Sequence, residues 1–132
     1  MVEITFKISN EYTKPESVEV ARKLLEHLIQ NPGRTIYYGE LVSKLDKSLY
    51  GYTAQNVERL LGDISFACKE NGLPPISAIV INKEDNRPGA GFFKAYYPGL
   101  KSDEQEIKWI EICKEVFAYQ NWNAVLEAYN NI

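Results

Sequence analysis

Residues 74–97, Pro74-Pro75-Ile76-Ser77-Ala78-Ile79-Val80-Ile81-Asn82-Lys83-Glu84-Asp85-Asn86-Arg87-Pro88-Gly89-Ala90-Gly91-Phe92-Phe93-Lys94-Ala95-Tyr96-Tyr97, decide how this chain is read. Ile76 to Ile81 is an apolar run rich in β-branched residues, and Phe92 to Tyr97 is a second run rich in aromatics. The ten residues between them, Asn82 to Gly91, are saturated with turn formers. Two such runs joined by a polar loop read as a pair of strands. The two prolines in front forbid continuation of any helix that precedes them.

A helix does precede them. Val57, Leu60, Leu61, Ile64, Ala67 and Cys68 keep helical spacing, Thr53 offers an N-cap, and Asn71-Gly72 provides a left-handed stop. Before it, a short helix is predicted over Tyr38 to Leu45 with Leu41, Val42 and Leu45 inward, and a turn containing Gly51 separates the two. Helix, turn, helix and then two strands is the order of a winged helix-turn-helix. Further out, Val2, Ile4, Phe6 and Ile8 alternate as a half-buried strand does. Thr13-Lys14-Pro15-Glu16 has the spacing of a capping box, and Val18, Ala21, Leu25 and Leu28 form the stripe of an amphipathic helix that Asn31-Pro32-Gly33 ends. Downstream, Ser102 caps a helix opened by Asp103, Glu104 and Glu106. Ile107, Ile110, Lys114 and Phe117 lie on one side of it and Trp109, Ile112, Cys113 and Val116 on another. A helix apolar over that much of its circumference is buried against its own domain or against a partner. Trp122 to Tyr129 closes the chain as a last short helix.

The expected fold class is therefore α+β, a winged helix-turn-helix with an N-terminal strand and helix and with C-terminal helices. At 132 residues one domain is expected over 1–132, with the helix-turn-helix and β-wing at 33–97 and a helical extension at 98–132. Hydrophobic residues at 45% and charged residues at 25% suffice for a packed core. No apolar run approaches the roughly 18 residues of a membrane span, and the acid in MVEITFKIS does not suit a signal peptide, so a cytoplasmic protein is expected. The net charge of −3 divides into −1 over residues 1–32, +1 over 33–97 and −3 over 98–132. A dedicated nucleic-acid binder is more basic than this.

The strings Tyr37-Tyr38-Gly39-Glu40-Leu41, Gly72-Leu73-Pro74-Pro75-Ile76-Ser77-Ala78-Ile79-Val80-Ile81-Asn82-Lys83 and Arg87-Pro88-Gly89-Ala90-Gly91-Phe92 resemble a group of small bacterial and phage proteins. That group pairs a "tYGEL" helix with a "glPPlsalVvnk…PG.GF" segment. Val116-Phe117-Ala118-Tyr119-Gln120-Asn121-Trp122 is similar to the aromatic "vFay..W" ending of the same group. The resemblance covers about residues 33–122 and implies a winged-helix-like fold, with some similar segments accompanying restriction and defence proteins. The order of elements also resembles the C-terminal domain of the alkylguanine-DNA alkyltransferases, in which "tYGElA" opens the motif. Those enzymes carry a Pro-Cys-His-Arg nucleophile motif. The matching stretch here, Pro74-Pro75-Ile76-Ser77-Ala78-Ile79-Val80-Ile81, has neither cysteine nor histidine, so the likeness extends to the fold and not to the activity.

Other chemistries lack parts. Cys68 and Cys113 fall on apolar helix positions without a local basic cluster, and His27 is the only histidine, so no thiol nucleophile, metal site or cofactor is expected. Glu106-Ile107-Lys108 spells an acid-x-Lys pair but has no paired upstream acid, and Glu84-Asp85 sits at a loop tip. Gly89-Ala90-Gly91 lacks the lysine and following helix of a phosphate loop.

What remains is binding. Gln55, Asn56 and Arg59 fall near the start of the long helix, where a recognition helix reads base edges, and Gln, Asn and Arg carry the donors for adenine and guanine. Lys69 lies further along it, while Asn82, Lys83, Arg87 and Lys94 would reach phosphates from the wing. Glu58 and Asp63 on the same helix oppose the backbone charge. The leading expectation is thus a non-enzymatic winged-helix module that binds double-stranded DNA, in defence or regulation. The alternative is a protein-interaction domain, an inhibitor or adaptor. It would use the aromatic surface of Tyr37, Tyr38, Tyr50, Tyr52, Tyr96, Tyr97 and Tyr119 together with the C-terminal helices, which also offer a homodimer contact. No membrane partner is expected.

Overall fold

A computed structural model describes residues 6–46, 52 and 54–132, with the backbone alone at 54, 55, 90 and 95. After a 3-10 turn at Asn10–Tyr12 come α1 (Pro15–Gln30), β1 (Ile36–Tyr37), α2 (Tyr38–Ser43) and α3 (Ala54–Glu70). A 3-10 segment at Ile76–Ile79 leads into β2 (Val80–Ile81), followed by α4 (Ala90–Tyr96), α5 (Ser102–Ala118) and α6 (Trp122–Asn130). Helix predominates among the described residues and strand is confined there to the β1–β2 pair, which overturns the α+β winged-helix expectation.

The correction falls on residues 74–97. Ile76 to Ile81 is buried at every position, so no face of the run is left for solvent as the outer face of a wing requires. Its first four residues form the 3-10 segment, with the Ala78 N–H bonded to the Pro75 carbonyl at 3.0 Å. The last two pair in parallel with β1, Ile36 opposite Val80 and Tyr37 opposite Ile81. The strand partner is therefore the segment ahead of α2, and α2 and α3 lie in the crossover that a parallel pair requires. Phe92 to Tyr96, read as a strand from its aromatics, lies within α4. Phe92 and Tyr96, four residues apart, stack at 5.8 Å with planes 14° apart, a contact that helical spacing supplies. Between β2 and α4 the chain turns tightly. The Asn82 N–H donates to the Arg87 carbonyl and the Asn86 N–H to the Asn82 carbonyl, both at 2.8 Å, while Asn86 adopts φ 55°. There is no wing hairpin among the described residues.

Local signals elsewhere act as the residue types dictate, with two differences. Gly72 at φ 66° ends α3, with the Leu73 N–H returning to the Cys68 carbonyl at 2.8 Å and the Gly72 N–H to Lys69 at 3.2 Å, a Schellman closure. Asn31 closes α1 and Gly33 turns away at φ 78°. The Thr13 cap does not form, because Pro15 occupies the first helical position, Lys14 is the cap, and the Thr13 hydroxyl donates instead to the Asn10 carbonyl at 2.9 Å. The N-terminal strand also differs. Val2 and Ile4 lie outside the described residues, and Phe6 and Ile8 pack half-buried on the core in irregular chain. There the Asn71 side-chain amide does the work of a neighbouring strand, accepting the Lys7 N–H at 3.1 Å and donating to its carbonyl at 3.0 Å. The proposed Thr53 cap lies outside the described residues.

The core runs through the whole described chain. Helix α1 buries Val20, Ala21, Leu24, Leu25 and Leu28 against α3 and α6. Helix α5 lies on the 3-10 segment, with the Trp109 indole N–H donating to the Ala78 carbonyl at 2.8 Å. Trp122 then returns its indole N–H to the Val116 carbonyl at 2.8 Å and meets Tyr119 edge-on at 4.8 Å, so the α5–α6 corner is built around it. No helix among the described residues is long and apolar enough to cross a membrane.

Candidate nucleic-acid interface

Four elements converge on one cleft of about 310 Å³. Helix α2 contributes Tyr38, α3 contributes Glu58, Arg59, Leu61, Gly62 and Ser65, and the 3-10 segment and α4 bring Ser77, Gly91 and Phe92. Tyr38, next after Tyr37 of the β1–β2 pair, has its hydroxyl beside the start of α4, 3.3 Å from a Cβ built on Gly89. At the side of the cleft the Ser65 and Ser77 hydroxyls hydrogen-bond each other, and the Tyr96 hydroxyl donates to the Ser65 carbonyl. These bonds tie α3, the 3-10 segment and α4 into one wall.

The Glu58 carboxylate shapes the opposite edge. A Cβ built on Gly89 or Gly91 would lie 2.8 or 3.0 Å from Glu58 Oε1, so the absence of side chains there lets the carboxylate lie against that loop. Burial, and then the Glu58 charge, push the Tyr38 phenol above its ordinary pKa, opposed by a backbone hydrogen bond at Gly89. Tyr38 therefore stays a neutral phenol, able to donate and to accept, across the physiological range.

Gly62 is the less expected member. It sits inside α3 without positive φ, and a Cβ built on it meets nothing within 4 Å. A glycine in a helix interior costs about 0.5–1 kcal/mol relative to alanine. No backbone crowding at the site accounts for that cost; the open space above Gly62 is the cleft. Gly62→Ala is expected to raise stability by about that amount, measured by denaturant unfolding. A destabilised Gly62→Ala protein would show that the position is sterically closed.

The sequence-derived DNA-binding set is dispersed over this surface. Arg59 is exposed and lines the cleft. Asn56 lies one turn before it and is half-buried, and the Gln55 side chain is outside the description. Lys69 stands ten residues further along α3, about 15 Å away, near the Tyr96 ring at 6.0 Å. Asn82 is spent on the tight turn through its backbone, while Lys83 and Lys94 are exposed. Arg87 is committed elsewhere, its guanidinium 2.8 Å from the Glu106 carboxylate of α5. Phosphate contact by Arg87 would require breaking that pair. Sequence reading missed Tyr38, Gly62, Ser65, Ser77 and Phe92 as one lining, and took Glu58 only as a repelling charge. The isolated Gly62 in a helical pattern was the available signal.

Residues singled out for other chemistry have structural surroundings. Burial pushes the Cys68 and Cys113 thiols up to about 11, which leaves little thiolate at neutral pH. His27 Nε2 lies 3.2 Å from the Arg34 carbonyl and secures the end of α1. Glu106 faces Arg87 and Lys108 lies 3.7 Å from Glu111, so the acid-x-Lys pair is divided between two partners. Glu84 and Asp85 are exposed, and Asp85 Oδ1 accepts the Arg87 N–H at 3.1 Å. No cluster of three metal-ligating side chains occurs among the described residues. The described members of the aromatic set are half-buried, with Tyr52 buried: the Tyr37 hydroxyl donates to Asn86 Oδ1 at 3.0 Å, Tyr52 donates to Glu19 at 2.9 Å, and Tyr119 packs on Trp122. Tyr97 lies under Lys108 at 4.9 Å, and Tyr50 is outside the described residues. Comparison of the chain with protein-family models, curated proteins and solved structures found no match.

Proposed function

We propose that this protein is a nucleic-acid-binding module that acts by binding and not by catalysis. The N-terminal half of α3 meets the nucleic acid, and the Tyr38–Phe92 cleft receives a single unstacked base. The observation that carries the reading is the cleft itself, opening beside the exposed Arg59 on the helix face that sequence assigns to base contact. At about 310 Å³ it stands at the small end of ligand pockets, suited to one ring system. Unstacked bases are held by aromatic side chains and by hydrogen bonds to their edges. Tyr38 and Phe92 supply the rings, and Glu58 supplies an acceptor for an amino or ring N–H group. The carboxylate disfavours a phosphate in the same place, so the cleft selects the base and leaves the backbone to Arg59, Lys83 and Lys94.

With Arg87 paired to Glu106 and Lys69 ten residues along α3 from Arg59, three cations remain near the cleft for phosphates, and log K should fall against log salt with a slope of about −3. Fluorescence anisotropy of a labelled duplex, fully paired or carrying one unpaired base, tests this at two salt concentrations. Preference for the unpaired-base duplex by about tenfold or more is expected, the value of one stacked base. Equal affinity for both would remove the cleft from the mechanism. Absence of binding at low salt would reject the nucleic-acid reading. A protein-interaction role is favoured by a separate observation, the exposure of Ile107 and Ile110 on α5.

A further inference from the structure

Helix α5 spends its apolar residues in two directions. Ile112 and Val116 are buried, and Trp109 and Cys113 reach the Ala78 carbonyl, so that side belongs to the core. Ile107 and Ile110, 63% and 46% exposed, point away from it. Asp103, Ile107, Ile110 and Lys114 are all exposed and follow one another at spacings of four, three and four, which places them on one narrow stripe of the helix. The stripe is its own complement under reversal. Its midpoint falls between Lys108 and Trp109, Ile107 and Ile110 are equidistant from that point, and so are Asp103 and Lys114.

From this we propose that the outward face of α5 docks a second copy of the same chain, the two α5 helices running antiparallel about a two-fold axis at that midpoint. Ile107 of each copy then packs on Ile110 of the other, and Asp103 of each faces Lys114 of the other. A two-fold contact requires such a self-complementary patch. Asp103 and Lys114 have no ion-pair partner among the described residues, so both charges are free for the contact. Of the other acids on the helix, Glu106 is paired with Arg87 at 2.8 Å and Glu111 lies 3.7 Å from Lys108. Beside Ile107 a groove of about 230 Å³, lined by Leu100, Glu104, Ile107, Lys108 and Glu111, gives the incoming isoleucine a recess. Four side chains per copy make a small patch against the roughly 800 Å² per partner of a standard interface, so the dimer is a weak, concentration-dependent one. This assignment is independent of the cleft.

Charge exchange tests it by sedimentation equilibrium over a wide range of concentration. Asp103→Lys places lysine opposite lysine at both ends, and Lys114→Asp places aspartate opposite aspartate, so each variant alone should be monomeric where the parent dimerises. Mixed in equal amounts, the two should associate with one another. The double variant Asp103→Lys/Lys114→Asp should regain self-association. Ile107→Gln, at a position outside the core, should also give a monomer, with circular dichroism confirming an unchanged helix content. A monomeric parent at every concentration would overturn the proposal and leave this face to a different macromolecule. So would single variants that dimerise like the parent, or a mixture that fails to associate.

Discussion

Gly62→Trp is expected to weaken binding to a duplex with one unpaired base by about ten- to hundredfold, while affinity for the fully paired duplex changes little. An indole at this position grows into the open cleft, since nothing lies within 4 Å of the added Cβ. It occupies the cleft that Tyr38 and Phe92 line, where the base would stack. Base–aromatic stacking is worth about 1–3 kcal/mol per base, and each 1.4 kcal/mol is a factor of ten in affinity. Lys83 and Lys94 do not line the cleft and keep their backbone contacts, which is why the paired duplex serves as the internal reference. Equal losses on the two duplexes would place the effect on the helix face and not in the cleft. Unchanged affinity on both would show that no base enters.

Trp122→Ala is expected to cost about 3–5 kcal/mol of stability, the loss typical of a large buried aromatic. Trp122 is 4% exposed, packs edge-on against Tyr119, and donates its indole N–H to the Val116 carbonyl. Its removal leaves a cavity at the α5–α6 corner and an unpaired carbonyl inside the core. For a chain of this size the melting temperature should fall by roughly 10–20 °C, read by calorimetry. Trp122→Phe separates the two causes, since it keeps a ring and loses the hydrogen bond, at about 1–2 kcal/mol. If Trp122→Ala melts like the parent, the corner is not part of the cooperative core. The aromatic stretch Val116–Trp122 is on this account a packing device.

How much of this was legible beforehand depends on where the information resides. The long helices were, because α1, α3 and α5 repeat apolar residues at three and four and end on residues with a clear backbone preference, such as Gly72 and Gly33. Arg59 beside the start of α3 was legible for the same reason. The segment 76–97 was not. Ile76 to Ile81 is apolar at nearly every position, so it carries no period by which strand and 3-10 segment can be told apart. Aromatic residues such as Phe92, Phe93 and Tyr96 favour strands only as far as their packing does, and here they pack better at helical spacing.

Sequence by itself determined the long helices, their stops, the absence of a nucleophile motif over Pro74–Ile81, and the reversible pattern Asp103–Ile107–Ile110–Lys114 along α5. Tertiary structure alone decided the pairing of Ile36–Tyr37 with Val80–Ile81, the helical state of Ala90–Tyr96, the loss of Arg87 to Glu106, and the cleft. The physical reason is range. Helical hydrogen bonds and caps join residues a few positions apart, so the order of neighbours encodes them. A parallel strand pair, an ion pair between a loop and a distant helix, and a cavity walled by four elements exist only once the core has brought those segments together.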